Sequence, residues 1–313
     1  MIHLSHHWAG RMNEIARYVL RRHAIGQRGD IEISKEAYEE LSSSISTLID
    51  ILKIEENFNV IIDNYFEFER YLLDTTLKAL IYNSDVHEDL TEIRISVSRS
   101  IINLLTAARL YVESLPQVAG RHFCGEALDW IGSSPSRAYD RSLSYRIMDA
   151  LRNYSQHDSL PIGGITIGRS KDLSGKPMRM IWKIEPTLDL KSIQRSAKFK
   201  KATLGEIQKN ESEFKIKATI REYVEQIFLI HIEVRDKFEP LSKKSTHSLE
   251  AAKSDFSAKF PGTQESIIAT AVDAKGKPLG PVVFLSAIVL KSLPQLRKRV
   301  NTLKNLPLRT VQY

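Results

Sequence analysis

Leu151-Arg152-Asn153-Tyr154-Ser155-Gln156-His157 closes the last helical pattern in the first half of this chain. Working back from it, Leu143, Ile147, Ala150 and Leu151 recur at the spacing of one helix face. Working forward, Pro161 biases the residue before it away from helical geometry, so the helix is expected to end near Asp158. Past Pro161-Ile162-Gly163-Gly164 the apolar pattern becomes strand-like. The stretch therefore separates a helical half from a mixed half. The expected fold is mostly α, a helical bundle over residues 1–162 followed by a smaller basic α+β domain over 163–313 with two β-hairpins.

The helical half carries its own start and stop signals. Ser34 is an N-cap candidate before a helix over 35–54, where Ile45, Leu48, Ile49 and Leu52 share a face. The pattern continues over 57–82 through Val60, Ile61, Tyr65, Phe68, Leu72 and Leu73. After a break at Asn83-Ser84-Asp85, a helix is expected over 88–112, interrupted by Pro116 and Gly120. A short segment over 123–131 leads to Gly132-Ser133-Ser134-Pro135, and Ser134 or Ser136 would cap one last helix running to Asp158.

In the second half, strands are expected over 165–168 and 178–184, around the turn Asp172-Leu173-Ser174-Gly175-Lys176-Pro177. A second pair, over 267–272 and 282–290, flanks Asp273-Ala274-Lys275-Gly276-Lys277-Pro278. In both turns Gly supplies a positive φ and Pro falls at a strand start or edge. A long helix is expected over 204–234, with Phe214, Ile220, Val224, Ile227 and Phe228 inward, and a basic helix over 292–303. Gly163-Gly164 reads as a linker, because the Lys-Ser/Thr of a phosphate loop does not follow it.

Composition limits the function classes. No apolar run approaches the ~18–20 residues that span a bilayer, and the first ten residues lack the apolar core of a signal peptide. Cys124 is the one cysteine. It excludes an internal disulfide framework and cysteine-rich zinc sites, and it fits a reducing cytoplasm. A packed thiol is expected there, since no nucleophile motif surrounds it. The net charge of +7 divides into −6 over residues 1–165 and +13 over 166–313. Such asymmetry points the basic half at a polyanion, most simply nucleic acid. Its strongest clusters are Lys198, Lys200 and Lys201, and Arg297, Lys298 and Arg299, with Lys304 and Arg309 beyond. Phosphate contacts of this kind give affinity and salt dependence rather than sequence choice.

The chemistry sits in Arg152 to His157. A permanent cation able to grip a phosphate precedes by five positions an imidazole able to move a proton near neutral pH. The bare pattern Arg-x4-His is common. Its context here is a polar Asn153, an apolar helical face before it and a turn into proline after it. In that context the string resembles the active-site helix of the HEPN superfamily, over roughly residues 36–162.

The resemblance implies a bundle that pairs as a homodimer through the motif helices, and a metal-independent endoribonuclease with no cofactor. It implies His157 as general acid/base for attack of the ribose 2′-hydroxyl, Arg152 as the phosphate and charge-stabilising group, and Asn153 as an orienting residue. The products would be a 2′,3′-cyclic phosphate and a 5′-hydroxyl. It further implies a toxin or anti-phage defence effector, with RNA and a possible antitoxin or regulatory protein as partners. Ser159 stands where some relatives carry a tyrosine that is nucleotidylated, so that regulation is not expected.

Helix geometry adds an expectation of its own. Five positions turn a regular helix through about 140°, so Arg152 and His157 leave from different faces. Either the helix loosens at its end or a second subunit completes the site.

The residues themselves leave other readings open. Arg152 could cap a helix C-terminus with His157 against the dipole. The chain could also be a non-catalytic RNA-binding or regulatory module, or a helical scaffold. His3, His6 and His7 read as a solvated terminus, and His122 beside Cys124 has no ligand pair at metal spacing.

Overall fold

The computed structural model describes residues 17–23, 29–82, 86–173, 178–209, 214–261, 267–285, 287–300 and 302–309. Among the described residues the fold is mostly helical, at 69% helix, with a four-stranded antiparallel sheet and a two-stranded hairpin. Contacts divide the chain into two units, and not at the expected boundary between 162 and 163. One unit joins 1–55 to 235–300, and the other joins 56–234 to 301–313.

The first unit is built on β1 (Arg17–Arg22) and β2 (Asp30–Ile33), together with the start of α1 (Lys35–Ile81). The Oγ of Ser34 accepts the N–H of Ala37 at 3.1 Å, as an N-cap residue should. Helix α1 then runs 47 residues without the expected division after residue 54, because nothing between Ile54 and Asn57 breaks a helix. Tyr18-Val19-Leu20 lies in a strand within the half expected to be helical, before the first helix placed by spacing. Its second partner lies some 250 positions away in sequence: Val19 pairs with Thr270 and Leu20 with Ala269.

The sheet order is β2-β1-β5-β6, with β5 (Ile267–Val272) and β6 (Pro278–Phe284) introduced late in the chain. Every residue of β5 is buried, as a central strand's apolar run requires. Between them Gly276 has φ +75°, and Asp273 Oδ1 accepts the N–H groups of Lys275 and Lys277, each at 2.8 Å. Pro278 opens an edge strand, where its missing N–H is tolerated. The corresponding residues Ser174 to Pro177 lie outside the described residues.

The apolar run over 282–290 is not one strand. It ends as β6 at Phe284 and resumes as a helix from Ala287 to Arg299, so the basic helix begins before Ser292 and stops short of Leu303.

The second unit takes the rest of α1 and adds α2 (Val86–Ala119), α3 (Glu126–Gly132), α4 (Ser134–Arg141) and α5 (Leu143–His157). Its buried stripe contains Phe58, Ile61 and Phe68 from α1, with Val97, Ile101, Leu104 and Tyr111 from α2. Pro116 does not interrupt α2. It lies in the last turn, where the loss of one backbone hydrogen bond costs little, and the helix stops at Ala119 before Gly120. The single helix expected up to Asp158 is two helices, α4 and α5, separated at Ser142. There the backbone is extended (φ −122°, ψ 122°) and Ser142 Oγ accepts the N–H of Tyr145 at 3.2 Å.

The hairpin β3 (Gly164–Asp172) and β4 (Arg179–Thr187) follows, then α6 (Leu190–Arg195), α7 (Lys201–Lys209) and α8 (Ile216–Lys259), with α9 (Ala287–Arg299) belonging to the first unit. Gly163 is not a linker. Its N–H donates to Thr187 O at 2.9 Å, and a Cβ there would fall 2.4 Å from Asp189 Cβ, so only glycine admits this approach. The helix expected over 204–234 is likewise two: α7 ends at Lys209, and α8 extends through Pro240 to Lys259. Within this unit Arg221 holds Glu69 with two hydrogen bonds of 2.6 and 2.8 Å, tying α8 to α1. Among the described residues no helix is long and apolar enough to cross a membrane.

Candidate active site

Helix α5 carries the Arg-x4-His pattern on a frame fixed at its start and its middle. Its start is held by Glu222 of α8, which accepts from Ser142 Oγ at 3.0 Å and from Ser144 Oγ at 2.7 Å. Its middle is tied to α7, where Arg146 donates to both oxygens of Glu206 at 3.0 and 3.3 Å. Ile147, Met148, Ala150, Leu151 and Tyr154 are buried, so the amphipathic spacing read from the sequence is the packing face. The helix ends at His157, with Asp158 as C-cap.

Arg152 and Asn153 are both half-buried. Arg152 Nη1 donates to Asn153 Oδ1 at 3.2 Å, while its Nε is buried without a hydrogen-bond partner. Asn153 thus steadies the arginine rather than the histidine. His157 is exposed on the last turn. Because α5 remains α-helical through His157, the end does not loosen, and the two side chains keep their offset of about 140° with a rise of about 7.5 Å. A single copy therefore brings Arg152 to Asn153 but does not set Arg152 and His157 on one face.

The surroundings of Arg152 are phenolic and acidic. Tyr145 and Tyr223 lie with ring centroids 5.3 Å apart. Burial pushes the Tyr145 phenol up to about 12, with Asp149 adding to the rise. Burial likewise raises Tyr223 well above an ordinary phenol, with Tyr145 and Asp149 adding and the Arg152 charge opposing. Burial also raises Tyr154. These groups remain neutral hydroxyls near neutral pH and supply no base.

Of the expected RNA contacts, Lys198, Lys200 and Lys201 belong to the same unit as α5 and are exposed. Lys200 is engaged: its Nζ donates to Tyr139 Oη at 2.7 Å and lies 3.8 Å from Asp149. Sequence reading missed this Tyr139–Lys200–Asp149 link; the one signal for it was Asp149 lying one turn before Arg152. Lys298 and Arg299 are exposed on α9 of the other unit. Arg297 is a correction. Its side chain is 20% exposed and is held by Glu55 at 3.0 Å and Glu239 at 2.8 Å, so it faces carboxylates rather than an outside phosphate. Arg309 folds back on the carbonyls of Thr302 and Lys304.

Cys124 is exposed, not packed as expected. His3, His6 and His7 lie outside the described residues. Among the described residues no three His, Cys, Asp or Glu side chains are grouped to hold a metal ion.

No protein-family model, curated protein or solved structure matches this chain.

Proposed function

We propose that the chain is a metal-independent endoribonuclease of HEPN type that works as a homodimer, with each catalytic cleft built from α5 of both copies. The observation that carries this reading is Arg152 itself. Its guanidinium is braced by Asn153 and keeps an unpaired buried donor, beside the exposed turn that ends in His157. A buried N–H without an acceptor favours an arriving anion. A guanidinium is the side chain best suited to hold a phosphate as charge develops on it.

In the proposed reaction His157 takes the proton from a ribose 2′-hydroxyl, the 2′-oxygen attacks the adjacent phosphorus, and Arg152 stabilises the charge on the phosphoryl oxygens. The 5′-oxygen leaves with a proton returned by an imidazolium, giving a 2′,3′-cyclic phosphate and a 5′-hydroxyl. The exposed Lys198 and Lys201 add sequence-independent attraction for the RNA strand. A toxin or anti-phage role in the cytoplasm, restrained by a partner protein, belongs to the same proposal.

The test is direct. Purified protein, Arg152→Ala and His157→Ala are incubated with total RNA in EDTA, and circular dichroism confirms that the variants fold. Cleavage by the parent chain and its loss in both variants supports the reading; undiminished cleavage by both removes it. The angular separation of Arg152 and His157 in one copy favours a second reading, a non-catalytic RNA-binding module. Salt-sensitive RNA retardation with no cleavage by any of the three proteins selects that reading instead.

A further inference from the structure

The hairpin β3–β4 is a ribbon of two nine-residue strands that no third strand joins among the described residues. Its root is fixed. Ile184 is buried, and Lys217 of α8 donates to Ile184 O at 2.8 Å and pairs with Glu185 at 3.1 Å. Toward the turn the packing stops: Arg169, Lys171 and Arg179 are exposed, and Met180 and Ile181 are each 47% exposed. A two-stranded ribbon is marginally stable in water by itself, so the anchored root holds out an arm whose apolar side chains bury little.

Register sorts that arm into two unlike faces. Arg169 pairs with Trp182 and Lys171 with Met180, and strand alternation puts these four side chains on one face. The Arg169 guanidinium accordingly lies over the Trp182 ring, 4.9 Å from its centroid. Asp172 and Glu185, the carboxylate residues of the two strands, fall at the alternate register positions, with Arg179 and Lys183. The Arg169–Trp182 face is therefore cationic with no carboxylate to balance it. No hydrogen bond or ion pair among the described residues engages Arg169 or Lys171.

An indole and a thioether flanked by two unpaired cations, about 7 Å apart along one strand, have the chemistry of an unpaired polynucleotide site. A base stacks on the ring, and successive phosphates meet the cations. A duplex keeps its base faces inside the stack. A membrane-inserting tip would be apolar throughout, whereas Lys171 and Arg179 stand among the apolar residues at the turn end.

We propose that this face of the β3–β4 ribbon binds single-stranded RNA, with a base on Trp182 and Met180 and neighbouring phosphates on Arg169 and Lys171. That the strand is RNA rests on the reading of Arg152 and His157. The ribbon begins at Gly164, shortly after His157 ends α5 in the same unit, so its root is tethered to the motif helix.

The experiment follows the fluorescence anisotropy of a labelled 2′-O-methyl oligonucleotide, which 2′-hydroxyl attack cannot cleave, against the full-length chain at several salt concentrations. The parent chain binds it. Arg169→Ala/Lys171→Ala removes two phosphate contacts, weakens binding about tenfold and lowers the salt slope by about 1.4. Trp182→Ala weakens binding at least about fivefold, with circular dichroism confirming the fold. Lys209→Ala/Lys244→Ala removes the same charge from exposed positions elsewhere and leaves both affinity and slope unchanged. Binding unaltered in the ribbon variants, or lowered equally in the Lys209/Lys244 control, overturns the proposal. So does equal binding of a duplex of the same sequence, or capture of phosphatidylserine vesicles in place of the oligonucleotide. Cleavage of ordinary RNA by a chain whose oligonucleotide binding ignores the ribbon variants removes the ribbon site alone. Ribbon-dependent binding without any cleavage supports the ribbon site and removes only the nuclease reading.

Discussion

The hydroxyl of Tyr111 lies 2.9 Å from Nδ1 of His231, and both side chains are completely buried. Phe58 stacks flat on the same imidazole, with centroids 3.8 Å apart and planes 4° from parallel. A polar pair thus sits where α1, α2 and α8 bring their largest side chains together in the second unit. Removing one partner deletes a buried hydrogen bond, which costs about 1–3 kcal/mol, whereas replacing both with apolar rings of similar shape costs less. Tyr111→Phe is expected to lower the unfolding free energy by that amount, read as a lowered urea midpoint at unchanged slope. The double variant Tyr111→Phe/His231→Phe should lose less than the two single variants summed. Strict additivity in urea unfolding would show that the 2.9 Å contact contributes nothing.

Glu55 provides a stronger test of buried charge. Two arginines converge on a carboxylate 2% exposed, so Glu55→Gln leaves cationic charge uncompensated in the first unit. The expected loss is about 3–5 kcal/mol. Glu67→Gln breaks a pair with Arg70 in which both side chains are 53% exposed, and its loss should stay within about 1 kcal/mol. Guanidinium chloride would screen both pairs, so urea denaturation is the measurement. Similar midpoints for the two variants would contradict the burial argument.

Much of the helical content was legible because each helix is amphipathic over many turns. Ser34 was placed correctly by its capping chemistry, and Leu48 and Phe68 by their spacing. The turn at Gly276 was legible because a positive φ needs glycine. What failed depended on distant partners. Tyr18-Val19-Leu20 is too short to announce a strand, and its partner β5 is nearly the whole chain away. The run over 282–290 is apolar throughout, and a short apolar run does not distinguish strand from buried helix, so the change at Ala287 was invisible. Arg297 looked like a surface cation because its partners, Glu55 and Glu239, are remote in sequence. At the candidate site, the helix, its end and the offset were readable, but Asn153 acting on Arg152 instead of His157 was not.

Alkaline pH should act on the second unit through Tyr145. Burial raises its folded pKa to about 12, against about 10 for an unfolded tyrosine. The folded state therefore keeps its proton while the unfolded state ionises. The stabilisation is fully present below pH 10 and is lost as pH rises from about 10 to about 12. Two pH units correspond to up to about 3 kcal/mol. Tyr145→Phe is expected to flatten the fall in urea midpoint over that window, and an unaltered pH profile in this variant would remove Tyr145 as its source.

The offset between Arg152 and His157 gives the sharpest prediction. In the proposed dimer each cleft draws its arginine from one copy and its histidine from the other. Arg152→Ala and His157→Ala chains are each expected to be inactive on RNA alone. When they are mixed, unfolded and refolded together, heterodimers form in which one cleft has lost both groups and the other keeps both. Random pairing makes half of the dimers heterodimers with one intact cleft of two, so recovered cleavage should approach about a quarter of the parent activity. A site completed within one chain predicts no recovery at any mixing ratio. The measurement is the initial rate of RNA cleavage in EDTA against the fraction of each variant, with the mass of the refolded species confirming the dimer. Recovery that peaks at equal proportions supports the composite cleft. A flat line at background, from a mixture that does form dimers, rejects it.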